Sequence, residues 1–186
     1  MGVKCIDWKG SIVMETLKTI ATRKSIRRFL DKKVSDETIH KILAAGMSGP
    51  SATNARPWAF LVVTDTTMLE RMADCNGKYA GPLRGAAFAV LVCGDTERFF
   101  KPAPEFWSID AAIAAQNMIL AAHALGVGSV WLGTYPIESY VRAQAELFHL
   151  PKTIVPHSVI AFGYPEDATL QERNLYEADR VHFECW

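Results

Sequence analysis

Cysteine is sparse in this chain. Cys5, Cys75, Cys93 and Cys185 lie far apart and form no Cys-x-x-Cys or Cys/His pair, so neither a zinc site nor a disulfide framework is indicated, and the thiols read as free and buried. Net charge is missing too. Twenty Lys and Arg balance twenty Asp and Glu, which leaves no broad basic field to hold nucleic acid. No apolar run approaches the roughly 20 residues that span a bilayer, and the opening MGVKCIDWKG lacks the apolar core of a signal peptide. The expectation is a cytoplasmic protein with neither nucleic acid nor membrane as partner. No Ser-His-Asp order, HExxH helix or Walker glycine loop occurs. The five histidines, His40, His123, His149, His157 and His182, are scattered and read as structural. Internal repeats and low-complexity segments are absent.

What is present fits one packed domain: 186 residues, 49% of them hydrophobic. Residues 1–13 show no period and read as an N-terminal extension. From Met14 the positions Met14, Leu17, Ile20 and Ala21 repeat at helical spacing, and this first helix delivers the chain into TRKSIRRF. Ser35 is a predicted N-cap, with Asp36 and Glu37 favoured in the first turn by the helix dipole, and Ile39, Ile42 and Leu43 repeat until Gly46. The short apolar runs 58–64 and 86–94 predict strands buried on both faces, with a helix between them near TTMLERMADC. FWSIDAAIAAQNMILAAHALG (106–126) predicts a long helix capped by its glycine. Being apolar nearly all round, it is central or shared with a second subunit. VGSVWLG, IESYVRAQAELFHL and IVPHSVIAFGY predict a strand, a helix and a strand. The interleaving indicates an α/β or α+β layer fold.

Three constellations carry chemistry. Arg23, Lys24, Arg27 and Arg28 surround Ser25 in TRKSIRRF. A solvated face would explain such a cluster, but the alternation Arg23-x-Ser25-x-Arg27 also supplies a phosphate clamp, because the guanidinium fork binds oxygens in pairs. The loop PSATNARPW sets Asn54 between two prolines, with Ser51 and Arg56 alongside. Its amide both donates and accepts, as reading a polar heterocycle edge requires. In VWLGTYP, Gly133 follows a strand end, where glycine serves a tight turn or lets main-chain amides approach a flat ring.

Together and in this order, RKSIRRF, PSATNARPW, IDAAIAAQNMILAAHALGVGSVWLG, PHSVIAFGYP and the tail DRVHFECW resemble the nitroreductase family of flavoproteins, over about Met14 to Trp186. The resemblance implies an α+β fold with a central mixed β-sheet surrounded by helices. It implies a homodimer built on the long helix, with FMN at the subunit interface and the C-terminal segment extending onto the partner, where Val181, Phe183 and Trp186 would pack. Residues 14–186 would form the FMN-binding domain. Arg23, Lys24, Ser25 and Arg27 match positions that hold the FMN phosphate and ribityl chain, and Arg173 is the basic residue expected to close that site. Pro50, Ser51 and Asn54 match the loop that meets the flavin, commonly from the other subunit. Leu132 and Gly133 match the turn whose backbone faces flavin N5. Lys24 stands where arginine or histidine is more frequent, and Arg56 where many relatives carry glutamine.

The activity implied is a ping-pong oxidoreductase. NADH or NADPH reduces FMN, and a nitroaromatic, quinone or similar electron-poor acceptor reoxidises it, with the chemistry on the flavin and no catalytic side chain. A flavin-storing or flavin-sensing protein, and a family variant that cleaves flavin or dehalogenates tyrosine, are the alternatives.

Overall fold

The computed structural model describes residues 15–186 and the backbone of two short strands, β1 (Cys5–Ile6) and β2 (Ile12–Val13), which pair antiparallel. Met14, where the helical pattern begins, and most of the expected 1–13 extension lie outside the described residues. Helix α1 (Thr16–Thr22) starts on Glu15, whose carboxylate accepts from the Leu17 and Lys18 amides. Helix α2 (Asp36–Met47) starts on Ser35 as the sequence predicts, with the hydroxyl accepting from Thr38 N–H at 3.3 Å. Strand β3 (Trp58–Val63), helix α3 (Thr66–Asp74), strand β4 (Phe88–Asp95), helix α4 (Phe106–Ala124), strand β5 (Gly128–Gly133), helix α5 (Glu138–Leu147) and strand β6 (Ile154–Gly163) complete the order.

The four longer strands form one sheet in the order β3-β4-β6-β5, every neighbouring pair antiparallel. Among the described residues, parallel pairing, expected of a mixed sheet, is confined to a single bridge between Ser25 and Ser129. The central strands are apolar over most of their length because both faces are covered. Phe88, Val90 and Val92 point to a cluster with α2 and α4, while Ala89, Leu91 and Cys93 point to another beneath α3 and the loop after α5. A period of two sends alternate residues to opposite faces, so two helical layers make a strand read as one continuous apolar run.

Helix α4 is the spine of one layer. Ala111, Ala114, Ala115, Met118, Ile119 and Ala122 are buried within the chain. It ends in a Schellman motif: Val127 N–H donates to Ala122 O at 2.8 Å and Gly126 N–H to His123 O at 3.0 Å, with Gly126 at φ +77°.

Two elements depart from the sequence pattern. The apolar stripe of α1 is not its buried face: Leu17 is 73% and Ile20 51% exposed, whereas Thr19 and Thr22 are buried. Those hydroxyls donate to carbonyls four residues back, Thr19 to Glu15 O at 3.0 Å and Thr22 to Lys18 O at 2.7 Å, so they enter the interior already satisfied. The second is the tail after Pro165. It contains a short 3₁₀ turn, Ala178–Arg180, and no strand among its described residues.

Candidate functional site

The cationic loop is laid down by contacts at the open end of the sheet. Ile26 N–H donates to Ser129 O at 2.8 Å, Leu30 N–H to Tyr164 O at 2.8 Å, and Glu166 N–H to Arg28 O at 3.3 Å. The segment passes over two glycines paired across β5 and β6, Gly128 and Gly163. A Cβ on Gly128 would meet Ile26 at 2.8 Å, and one on Gly163 would meet Phe29 at 2.9 Å. Glycine at both positions therefore admits Ile26 and Phe29, and with them the intervening Arg27 and Arg28.

Arg23 caps the end of α1. Arg173 reaches it from the tail: its guanidinium donates to the Arg23 carbonyl, and its own amide donates to Ala21 O at 3.3 Å. Burial, and then the charge of Arg173, lower the Arg23 pKa. Among the described residues no carboxylate pairs with either guanidinium. Two like charges held together without an acid make a place for an anion. Lys24 differs, because its ammonium is 3.1 Å from Asp167. Two hydrogen bonds from Thr169 and then this lysine hold the Asp167 carboxyl down to about 2. Ser25 and Arg27 are exposed beside Arg23.

At the other end of β5 lies the second predicted part. Leu132 is buried and Gly133 exposed. Four residues separate Ser129, the bridge partner of Ser25, from Gly133, about 13 Å along a strand. Gly133 does not have a positive φ, and a Cβ built on it meets nothing within 4 Å. The chain's own packing therefore does not demand glycine there. Open space beside a strand-end backbone, with clustered guanidinium groups at the strand's other end, fits a ligand that has a flat ring at one end and a phosphate at the other. FMN is such a ligand.

The third part lies at the start of α4, the helix end whose Trp107 ring meets Tyr135 just past Gly133. The loop with Pro50, Ser51 and Asn54 is tied to the start of α4, where buried Asp110 accepts from Ala52 N–H at 3.0 Å. Ser51 Oγ accepts from Arg56 N–H at 2.9 Å, and Thr53, Asn54 and Arg56 take left-handed φ values of 52°, 57° and 51°. The cations sit at the opposite end of that helix, where His123 meets Thr22. Thirteen residues of helix separate Asp110 from His123, about 20 Å. One chain thus aligns the cations with Gly133 and places the Pro50–Asn54 loop away from the cations.

The profile of the family described as Nitroreductase family matches residues 20–77 and 71–164. This chain belongs to the nitroreductase family. A relative from Methanothermobacter thermautotrophicus, provisionally named NADH dehydrogenase/NAD(P)H nitroreductase, is 44% identical over 181 residues, 97% of this chain and 92% of its own. A provisionally named NADH dehydrogenase/NAD(P)H nitroreductase from Bacteroides thetaiotaomicron, solved as a crystal structure, is 40% identical. It superposes with a TM-score of 0.84 over 92% of this chain and 98% of its own. A provisionally named nitroreductase from Desulfovibrio desulfuricans, solved in complex with FMN, is 34% identical with a TM-score of 0.76, over 93% of this chain and 98% of its own. The nitroreductase fold, α+β with helices around the sheet, is therefore the fold of this chain.

Sequence reasoning did not single out several residues that shape this candidate site. Asp110 had a signal, being the one charged residue in α4. Asn76, which donates to Gly133 O at 3.1 Å, had none, because no sequence pattern links it to a strand end 57 residues on.

Proposed function

We propose that the chain is an FMN-dependent oxidoreductase that carries electrons from NADH or NADPH to nitroaromatic, quinone or similar electron-poor acceptors in a ping-pong cycle, acting in the cytoplasm. Residues 14–186 are its FMN-binding domain. The observation that carries this reading is the Arg173 guanidinium held on the Arg23 carbonyl at one end of β5, with neither side chain paired to a carboxylate among the described residues, and open space over Gly133 at the other end. When bound, FMN supplies the redox chemistry, taking electrons from the nicotinamide and giving them to the acceptor at ring N5.

The chain supplies binding and orientation. Arg23 and Arg173 hold the phosphate oxygens, Ser25 and Arg27 add donors, and Lys24 contributes through its pair with Asp167. Leu132 and Gly133 present backbone to the ring. No side chain acts as acid or base.

The assembly is a homodimer. Pro50, Ser51 and Asn54 reach the flavin of the second subunit. Leu17, Ile20, Met47, Phe106 and Ile109 are exposed apolar side chains on α1, α2 and α4, a surface suited to burial against another copy. Phe183 and Trp186 in the exposed tail then pack on the partner.

Steady-state oxidation of NADH and NADPH, with and without an added quinone, tests the activity. An acceptor-dependent rate with a parallel-line double-reciprocal pattern supports it. Retained flavin with no acceptor-dependent rate marks a flavin-storing protein instead.

A further inference from the structure

Three buried polar side chains converge behind the Gly133 turn. Asn76 (4% exposed), Thr134 and Gln144 come from the end of α3, the end of β5 and the middle of α5. Asn76 Nδ2 donates to Gly133 O at 3.1 Å, while its Oδ1 accepts from the Thr134 hydroxyl at 2.7 Å and from Gln144 Nε2 at 3.5 Å. Gln144 Nε2 also donates to Met72 O at 2.9 Å. The pattern fixes both amides. Reversing Asn76 would set its oxygen against the Gly133 carbonyl, and reversing Gln144 would set its oxygen against the Met72 carbonyl.

The network has an evident cost. Gln144 Oε1 is buried and has no partner among the described residues. Apolar side chains would join α3 to α5 without that penalty. An apolar trio, however, cannot hold a carbonyl in one direction. With the Gly133 oxygen held by Asn76, peptide planarity fixes the whole unit between Gly133 and Thr134, at the exposed strand end where an added Cβ meets nothing.

We propose that Asn76 is a positioning residue, braced by the Thr134 hydroxyl, that sets the Gly133 peptide against the flavin ring and thereby tunes how differently the site binds oxidised and reduced FMN. The proposal rests on the FMN reading above. Asn76 acts through the backbone and touches neither substrate nor acceptor.

The experiment measures FMN dissociation constants for both oxidation states, with anaerobic dithionite for the reduced one, and the thermal midpoint. The proteins are the wild type, Asn76→Ala, Thr134→Val and Gln144→Met. Asn76→Ala is expected to change the ratio of the two constants about tenfold, equal to about 30 mV for a two-electron couple. Thr134→Val, which keeps the shape and removes only the hydroxyl that braces Asn76, is expected to move the ratio the same way by less. Gln144→Met leaves the Asn76 to Gly133 bond in place, and should alter the thermal midpoint with the ratio changed less than about twofold. A lowered midpoint with an unchanged ratio in Asn76→Ala would show a purely structural role and overturn the proposal. Should that variant not fold, an unchanged ratio in Thr134→Val overturns it. Wild-type protein that binds no FMN would overturn the cofactor reading and this proposal with it, and that failure is visible without any variant.

Discussion

His123 Nε2 lies 2.9 Å from Thr22 Oγ1, joining the last turn of α4 to the residue before Arg23. The Thr22 hydroxyl gives its proton to Lys18 O at 2.7 Å, so the imidazole is the donor in this bond and carries its proton on Nε2. Burial, and after it the charge of Arg23, push the His123 pKa below its usual 6.5.

Arg23 is therefore open to two independent readouts. Arg23→Ala should raise the His123 pKa, observed by NMR titration of the imidazole. The same change should weaken FMN binding about 10- to 100-fold, as loss of a charged hydrogen-bonding partner does. Unchanged FMN affinity would remove Arg23 from the phosphate site.

Acid should destabilise the fold through His157. This ring is buried among Trp107, Trp131 and Tyr135, with Nδ1 3.1 Å from Ser158 Oγ, and burial lowers its pKa to about 4. The unfolded chain, at about 6.5, binds the proton more readily, so the stability is fully present above about pH 6.5 and is lost as pH falls towards 4. The difference corresponds to about 3 kcal/mol. His123, shifted in the same direction, adds to the slope. Thermal midpoints between pH 4 and 7 should fall less steeply in His157→Phe, which keeps a ring in the cage and removes the titration. Equal slopes would contradict this.

Gly133→Val should leave the fold intact and remove the flavin. The position is in a strand, has no positive φ, and offers open space to a Cβ, so a β-branched residue suits the backbone. The thermal midpoint of the cofactor-free protein should stay within a few degrees of wild type, while FMN affinity falls at least about tenfold, or about 1.4 kcal/mol. Unimpaired FMN binding would place the ring elsewhere.

Ile109→Asp separates the dimer from the fold. Ile109 is 55% exposed on the first turn of α4, whereas Ile119, on the same helix, is 5% exposed and belongs to the chain's own core. A charge at 119 would disrupt the monomer, while one at 109 should cost the isolated chain little. Size-exclusion chromatography with absorbance detection should show Ile109→Asp losing dimer and flavin together. A monomer with full FMN occupancy would contradict a shared site.

Much of this architecture is legible because single elements carry strong signals. The apolar runs at β4 and β6 announce strands covered on both faces, and the alanine-rich α4 announces a central helix. Ser35 and Gly126 mark helix ends by their own chemistry. The stripe of α1 misleads as a core signal, since helical spacing shows that a face is apolar and not what covers it. Threonines satisfied by their own helix took the buried side. In the tail, Val181, Phe183 and Trp186 are exposed in the chain, so packing within one copy does not explain these apolar residues. Arg23, Ser25 and Gly133 were readable from motifs. Asn76 and Gln144 were not, because their roles arise from contacts 57 and 68 residues apart in sequence.

The central claim is that this chain holds FMN, and the visible absorption spectrum tests it most directly. Protein supplemented with FMN and then desalted should retain flavin bands at about one per chain, and anaerobic NADH or NADPH should bleach them. Colourless protein after desalting would contradict the account, and the guanidinium pair at Arg23 and Arg173 would then answer to a different anion.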